Sequence, residues 1–322
     1  MSQATVTTPA AAKRRRSAAN WGDLIFAGLT RTAAVFILLL LGSIIVMLAV
    51  GGWPAFQTFG IGFITSTSWN PVTDIYGAGV SVYGTLVTSV LAMILAVPVS
   101  FGIAYYLTEL APGWLRRPVG TAIELLAAVP SIIYGMWGFF VVVPFMANHV
   151  EPALIGTFQN VPVLRSLFAG PPFGTGIATA AFILAVMVLP FIAATMRDVF
   201  NTVPAVYKES AYGVGCTTWE VVRSIVLPYT KTAVVGGIML GLGRALGETM
   251  AVTYVIGNAN HVTPNLFGSG NTIASLVALE FGESDSGSLK LASLLALGFI
   301  LFVISFIVLA TSRLMLRPKF KE

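Results

Sequence analysis

The chain is poor in charge. Only 10% of its 322 residues are Asp, Glu, Lys or Arg, and 56% are hydrophobic. An ordinary soluble domain carries about 25% charged residues. With a mean hydropathy of +0.87, a water-soluble globule of this length could not hide its apolar surface. A soluble enzyme, a disordered regulator and a disulfide-built secreted module are all excluded. Cysteine is almost missing as well: Cys216 stands alone, so no internal disulfide can form. The two histidines, His149 and His261, fall in different loops and make no metal-ligand spacing. No Ser-His-Asp set or paired-carboxylate site is visible. No Gly-x-x-x-x-Gly-Lys-Ser/Thr loop occurs, nor any Gly-Lys pair, so the chain cannot cradle a nucleotide itself.

Long apolar runs are what the sequence does have. Six are long enough to cross ~30 Å of hydrocarbon, which takes about 20 helical residues. They fall at 32–50, 80–107, 119–145, 174–196, 231–256 and 289–314, and predict an all-α polytopic membrane protein. Pro98, Pro130 and Pro190 each fall within a span; a simple kink is the plainer reading of each, and a break is tolerated where neighbouring helices or a polar cavity re-satisfy the backbone. The first run follows a basic leader, Lys13-Arg14-Arg15-Arg16, but exceeds the core of a signal peptide, so it reads as a retained anchor. The expected organisation is a disordered basic tail at 1–20 and a first span with its outer loop at 21–79. A core domain follows at 80–314 with a cytoplasmic loop at 198–230, then a basic tail at 315–322.

Basic residues orient the chain. With the N-terminus inside, the inner segments hold fifteen Lys and Arg and the outer segments hold two, Arg165 and Lys290. Both termini are therefore expected in the cytoplasm. The net charge of +5 then reads as an insertion signal and a contact for anionic lipid, with no call for nucleic acid. The outer segments carry Asp74, Glu151, Glu280, Glu283 and Asp285, read as a solvated acidic rim. Glu124, near the inner face, is expected to pair or cap near Arg116 and Arg117.

The inner loop between the fourth and fifth spans reads as two short amphipathic helices around a glycine turn. Pro204 suits a helix start, Gly215 supplies the turn, Thr217 or Thr218 can cap the second helix, and Pro228 is expected to end it. On pattern alone such a pair fits either the lipid surface or a partner's groove. The spacing adds more. Glu209-Ser210-Ala211, then Gly215, then Ile225 and Leu227-Pro228 resembles the EAA loop of ABC-importer permeases, with Ser210 where that family usually has alanine. The resemblance implies that Glu209, Ser210, Ala211, Gly215, Leu227 and Pro228 form a coupling helix that seats on a cytoplasmic ATPase subunit.

The fifth run carries Arg244 about 20 Å from Lys231 at ~1.5 Å per residue, near mid-depth. A charge there costs roughly 2.5–3.5 kcal/mol on insertion scales. Glu248, four residues on, is expected on the same helical face, where the two can pair. The pair could simply fix helix packing, or Arg244 could present its fork of donors to an oxyanion. Gly237 and Gly241, then Gly243 and Gly247, make two Gly-x-x-x-Gly repeats that let helices approach closely.

The run Gly-Leu-Gly-Arg-Ala-Leu-Gly-Glu-Thr-Met-Ala-Val-Thr at 241–253, with Val-Ile-Gly-Asn-Ala at 255–259, resembles the PstC family of phosphate-importer permeases. So does Ala-Ala-Val-Pro-Ser-Ile-Ile-Tyr-Gly at 127–135. That resemblance implies the type I ABC importer permease fold in a bacterial plasma membrane. It implies a phosphate pathway at Arg244 and Glu248, with hydroxyls from Ser131, Tyr134 and Thr249. It implies no cofactor in this chain, and ATP and Mg in two copies of a PstB-like ATPase. A homologous PstA-like permease and an outer PstS-like binding protein would complete the complex. A permease for molybdate or sulfate, a stand-alone secondary carrier and a signalling scaffold remain the alternatives.

Overall fold

The computed structural model describes residues 21–315. The basic tails read from the sequence lie outside them, save for Met315 at the end of the last helix. Six helices are long and apolar enough to cross a membrane: Trp21–Phe59, Gly79–Leu110, Ser131–Phe158, Ile177–Asn201, Thr218–Leu246 and Leu289–Leu314. Among the described residues there is no strand, only an isolated bridge between Asn70 and Ile75. The chain divides into two units, 1–47 and 48–322. The described part of the first is one helical segment with exposed leucines such as Leu38 and Leu39, a surface suited to lipid.

Within the second unit the fourth span is central, with 67% of its apolar window buried. Leu184, Met187, Val188, Ile192 and Met196 form its buried stripe and pack against the second and fifth spans. Small residues make this closeness possible: Ala92, Ala96, Ser100 and Ala104 line the buried face of the second span, and the Ser100 hydroxyl donates to the Leu189 carbonyl at 3.0 Å. The helix continues through both Pro98 and Pro190, in keeping with the plainer reading of each as no more than a kink. The two helices pack on one another there, Ser100 beyond Pro98 meeting Leu189 just before Pro190.

Pro130 does break the chain. A separate helix, Gly113–Ala127, precedes it, and the third span starts only at Ser131. The expected span from 119 is therefore corrected: residues 119–127 belong to an amphipathic helix with Gly120 and Ile123 buried and Trp114, Leu125 and Leu126 exposed. The Tyr134 hydroxyl spans the break by donating to the Leu126 carbonyl at 2.9 Å, a helix-end acceptor that also takes the Val129 amide at 3.3 Å. The third span then runs through two π turns, Gly138–Val142 and Met146–Val150, into Glu151–Phe158.

The acidic outer rim is likewise not all solvated. Glu151 is fully buried, one carboxylate oxygen accepting the Gly174 amide at 3.0 Å. Glu280 accepts the Trp69 indole N–H at 3.1 Å and pairs with Lys290 at 3.2 Å. Tyr76, buried beneath Trp69 and beside Phe59, donates to Asp74 at 3.1 Å; burial, then that bond, pushes its phenol up to about 12.

Candidate functional site: an interrupted fifth span and a coupling loop

The fifth span is not the single helix expected over 231–256. It begins at Thr218, contains a π turn at Val222–Val226, and stops at Leu246. Pro228 therefore does not end a helix. The π turn immediately before it, where the Leu227 amide bonds back to the Val222 carbonyl, lets the helix pass a residue that has no N–H to give. The second helix of the loop and the membrane span are thus one continuous helix, Thr218–Leu246.

At the other end, Gly247 caps the rod and Thr249 starts a short helix, Met250–Thr253. This break separates Arg244 from Glu248. Arg244 sits in the last helical turn, where the negative end of the helix dipole favours a cation. Glu248 lies in the break and one of its oxygens accepts the Ala251 amide at 3.2 Å. The expected ion pair is absent: no Arg244–Glu248 contact lies within 4.0 Å. A regular helix would have put both on one face, and the break turns the carboxylate toward the next helix instead. Arg244 is exposed, has no carboxylate partner among the described residues, and lies 6.0 Å from the Phe191 ring centroid.

The second interruption faces the first. Ser131–Trp137 packs on Met250–Thr253, and a Cβ at Gly135 would lie 3.0 Å from the Ala251 Cα and 3.1 Å from the Met250 carbonyl oxygen. Backbone freed at two breaks is tolerated at membrane depth where it lines a cavity or is buried in protein. The Tyr134 proton is held by the Leu126 carbonyl. Ser131 and Thr249 are half-buried at the starts of the two helices. Of the glycine repeats, Gly237 and Gly241 do meet the fourth span, at Thr195 and Ile192. Gly247 serves the break.

The inner loop is built as its spacing implies. Pro204 precedes the helix Ala205–Gly213. The helix ends where the Cys216 amide bonds to the Ala211 carbonyl at 3.1 Å and the Gly215 amide to the Tyr212 carbonyl at 3.0 Å. This double closure requires the left-handed residue that Gly215 supplies at φ +90°. Thr217 then caps the rod, its hydroxyl accepting the Glu220 amide while the Glu220 carboxylate accepts the Thr217 amide at 2.7 Å. Glu209, Ser210, Gly215 and Pro228 are exposed, Leu227 is half-buried, and Ala211 is buried in the core.

Two features escaped sequence reasoning. Lys208 binds Glu109 at 2.6 Å, tying the loop helix to the end of the second span. Glu124 pairs with Arg197 at 2.6 Å, not with Arg116 or Arg117, and Arg197 also holds Asp198 at 2.7 Å. A glutamate at the close of a long apolar run, as Glu109 is, was the available signal for the first; Glu124 and Arg197 lie on separate helices and left none.

Six helices of membrane-crossing length among the described residues, one of them carrying Arg244 at its break, make this a polytopic helical membrane protein. The fold agrees with solved permease assemblies. A bacterial alginate ABC transporter chain matches with TM-score 0.58 at 17% identity, covering 94% of this chain and 99% of that one. The family of binding-protein-dependent transport system inner membrane components matches residues 98–319, and the chain belongs to it. Within that family it groups with proteins named phosphate transport system permease protein PstC. It is 58% identical to the one from Pasteurella multocida over 91% of each chain, and 56% identical to that from Mesorhizobium japonicum over 91% of this chain and 90% of that one.

Proposed function

We propose that this chain is the permease subunit of an ATP-driven importer of inorganic phosphate in a bacterial plasma membrane, with both termini in the cytoplasm. The observation that carries the reading is Arg244, a cation inside a span with no carboxylate within 4.0 Å among the described residues, at the point where the span is interrupted. A guanidinium in that setting lacks a counter-ion, and its planar fork matches a phosphate oxyanion. Relatives named for phosphate transport at 58% and 56% identity support phosphate over molybdate or sulfate.

In this reading Arg244 binds the passing anion. Ser131, Thr249 and Tyr134 offer hydroxyls beside it, and Glu248 shapes the break by holding the Ala251 amide. The chain pairs with a homologous PstA-like permease, and an outer PstS-like protein delivers phosphate. Two PstB-like ATPase subunits, which bring ATP and Mg, receive the exposed surface around Glu209, Ser210 and Gly215. Val206 and Val214, 67% and 82% exposed beside them, give that surface the apolar content of a docking face. Because the loop helix is followed by one continuous helix that runs to Arg244, a push at Gly215 is carried along it to the anion site. ATP binding then shifts the balance between inward- and outward-open states through its different affinity for each.

The test is uptake of labelled phosphate by the reconstituted complex, with molybdate and sulfate as competitors and ATP withheld in one arm. Uptake that needs ATP and resists the competitors is expected. Uptake without the ATPase, or equal inhibition by sulfate, overturns the reading.

A further inference from the structure

At the end of the bundle that carries the coupling loop lies a cavity of about 400 Å³. It is framed by the helix Gly113–Ala127, the close of the second span at Leu107 and the end of the fourth span at Arg197 and Asn201. Three guanidiniums line it: Arg116, Arg117 and Arg197. Their charges are not balanced alike. Both carboxylates in the wall, Glu124 and Asp198, are committed to Arg197 at 2.6 and 2.7 Å. Arg116 gives its Nε–H to the Ala111 carbonyl at 3.0 Å and keeps the rest of its fork. Among the described residues neither Arg116 nor Arg117 has a carboxylate within 4.0 Å. Both also stand in the first turns of a helix, where the dipole is positive and a neighbouring cation is unfavourable unless an anion joins it. Thr121 and Asn201 add a hydroxyl and an amide to the same wall.

We propose that this cavity is a second anion site, distinct from Arg244, that takes a phosphate-bearing group between Arg116 and Arg117. Two sources carry that chemistry: the headgroup of an anionic lipid and free inorganic phosphate. Trp114, 77% exposed, and Leu125, 66% exposed, flank the arginines on the same helix, which is the composition of a helix lying at a membrane interface. Only the placement of the cavity on the cytoplasmic side rests on the function proposed above; its anion chemistry does not.

The experiment uses the full-length chain in its complex, with Arg244→Gln introduced throughout so that the pathway contributes no phosphate binding. One arm compares nanodiscs of phosphatidylcholine with nanodiscs that add phosphatidylglycerol, reading retained lipid by native mass spectrometry. The other titrates inorganic phosphate against chloride at matched ionic strength, reading the melting midpoint. Binding of at least one of the two is expected, weakened about fivefold for each arginine replaced in Arg116→Gln and Arg117→Gln. Retained phosphatidylglycerol assigns the site to lipid, and a shift with phosphate alone assigns it to the free anion. Thr121→Trp fills the cavity without altering a charge and decides the matter if the arginine variants fail to fold: loss of binding supports the site. Neither anion binding, or binding undiminished in Thr121→Trp, overturns it.

Discussion

The Lys208 ammonium lies 2.6 Å from Glu109 Oε1, and the Glu109 side chain is only 6% exposed. This pair joins the loop helix Ala205–Gly213 to the C-terminal end of the second span. Removing one partner leaves the other charge buried and unpaired, which costs about 3 kcal/mol at the lower end of the range for such pairs, since Lys208 keeps some contact with water. Lys208→Met and Glu109→Gln are each expected to lower the melting midpoint of the complex by several degrees and to loosen coupling of ATP hydrolysis to uptake. The double variant removes both charges together and is expected to melt closer to wild type. A double variant no better than the singles would assign the loss to packing.

Arg244 has no such partner among the described residues, so its replacement strands no carboxylate there. Arg244→Gln is expected to abolish phosphate uptake while expression, assembly and melting stay near wild type. Arg244→Lys keeps the charge and loses the planar fork, and is expected to retain a small fraction of uptake with an elevated KM. Transport and thermal melting measured on the same preparations separate a binding defect from a folding one.

Gly215 stands at φ +90° with no atom near its missing side chain. Space is therefore no obstacle to a substitution, but backbone strain is. A β-branched residue pays about 1–2 kcal/mol for the left-handed region, while asparagine visits it more readily. Gly215→Val is expected to uncouple ATP hydrolysis from uptake by opening the turn, and Gly215→Asn to retain most coupling. Equal behaviour of the two variants would show that side-chain bulk at the ATPase contact matters instead.

The sequence carried the number of spans, the glycine turn and a threonine cap at 217 or 218 because each depends on local chemistry: run length, a left-handed backbone, a hydroxyl at the start of a helix; the structure selects Thr217. It misplaced what depends on neighbours. Pro98 and Pro190 look like Pro130 in sequence, yet the helix runs on through the first two and ends before the third. The spacing of Arg244 and Glu248 implies a pair only on a continuous helix, and nothing between them except Gly247 marks the break. Pro228 reads as a stop until the π turn before it is known, and a π turn has no compositional signature.

The two glycine repeats of the fifth span differ in what surrounds them, and this gives a sharp comparison. A Cβ at Gly241 would lie 2.7 Å from Ile192 Cγ1 and 3.3 Å from Val188 Cγ1, whereas one at Gly243 would meet only Leu309, at 3.7 Å. Gly241 thus sets how closely the rod bearing Arg244 approaches the central fourth span. Gly241→Val must push Ile192 or the whole rod outward, at a cost of about 1–3 kcal/mol typical of overpacking. Gly243→Ala sits at ordinary contact distance and gains helix propensity. Thermal melting and uptake of the two variants side by side should show Gly241→Val impaired in both and Gly243→Ala unimpaired in melting. If Gly243→Ala nevertheless blocked uptake, the surface around Gly243 would be needed by a partner or by the passing anion and not by the fold.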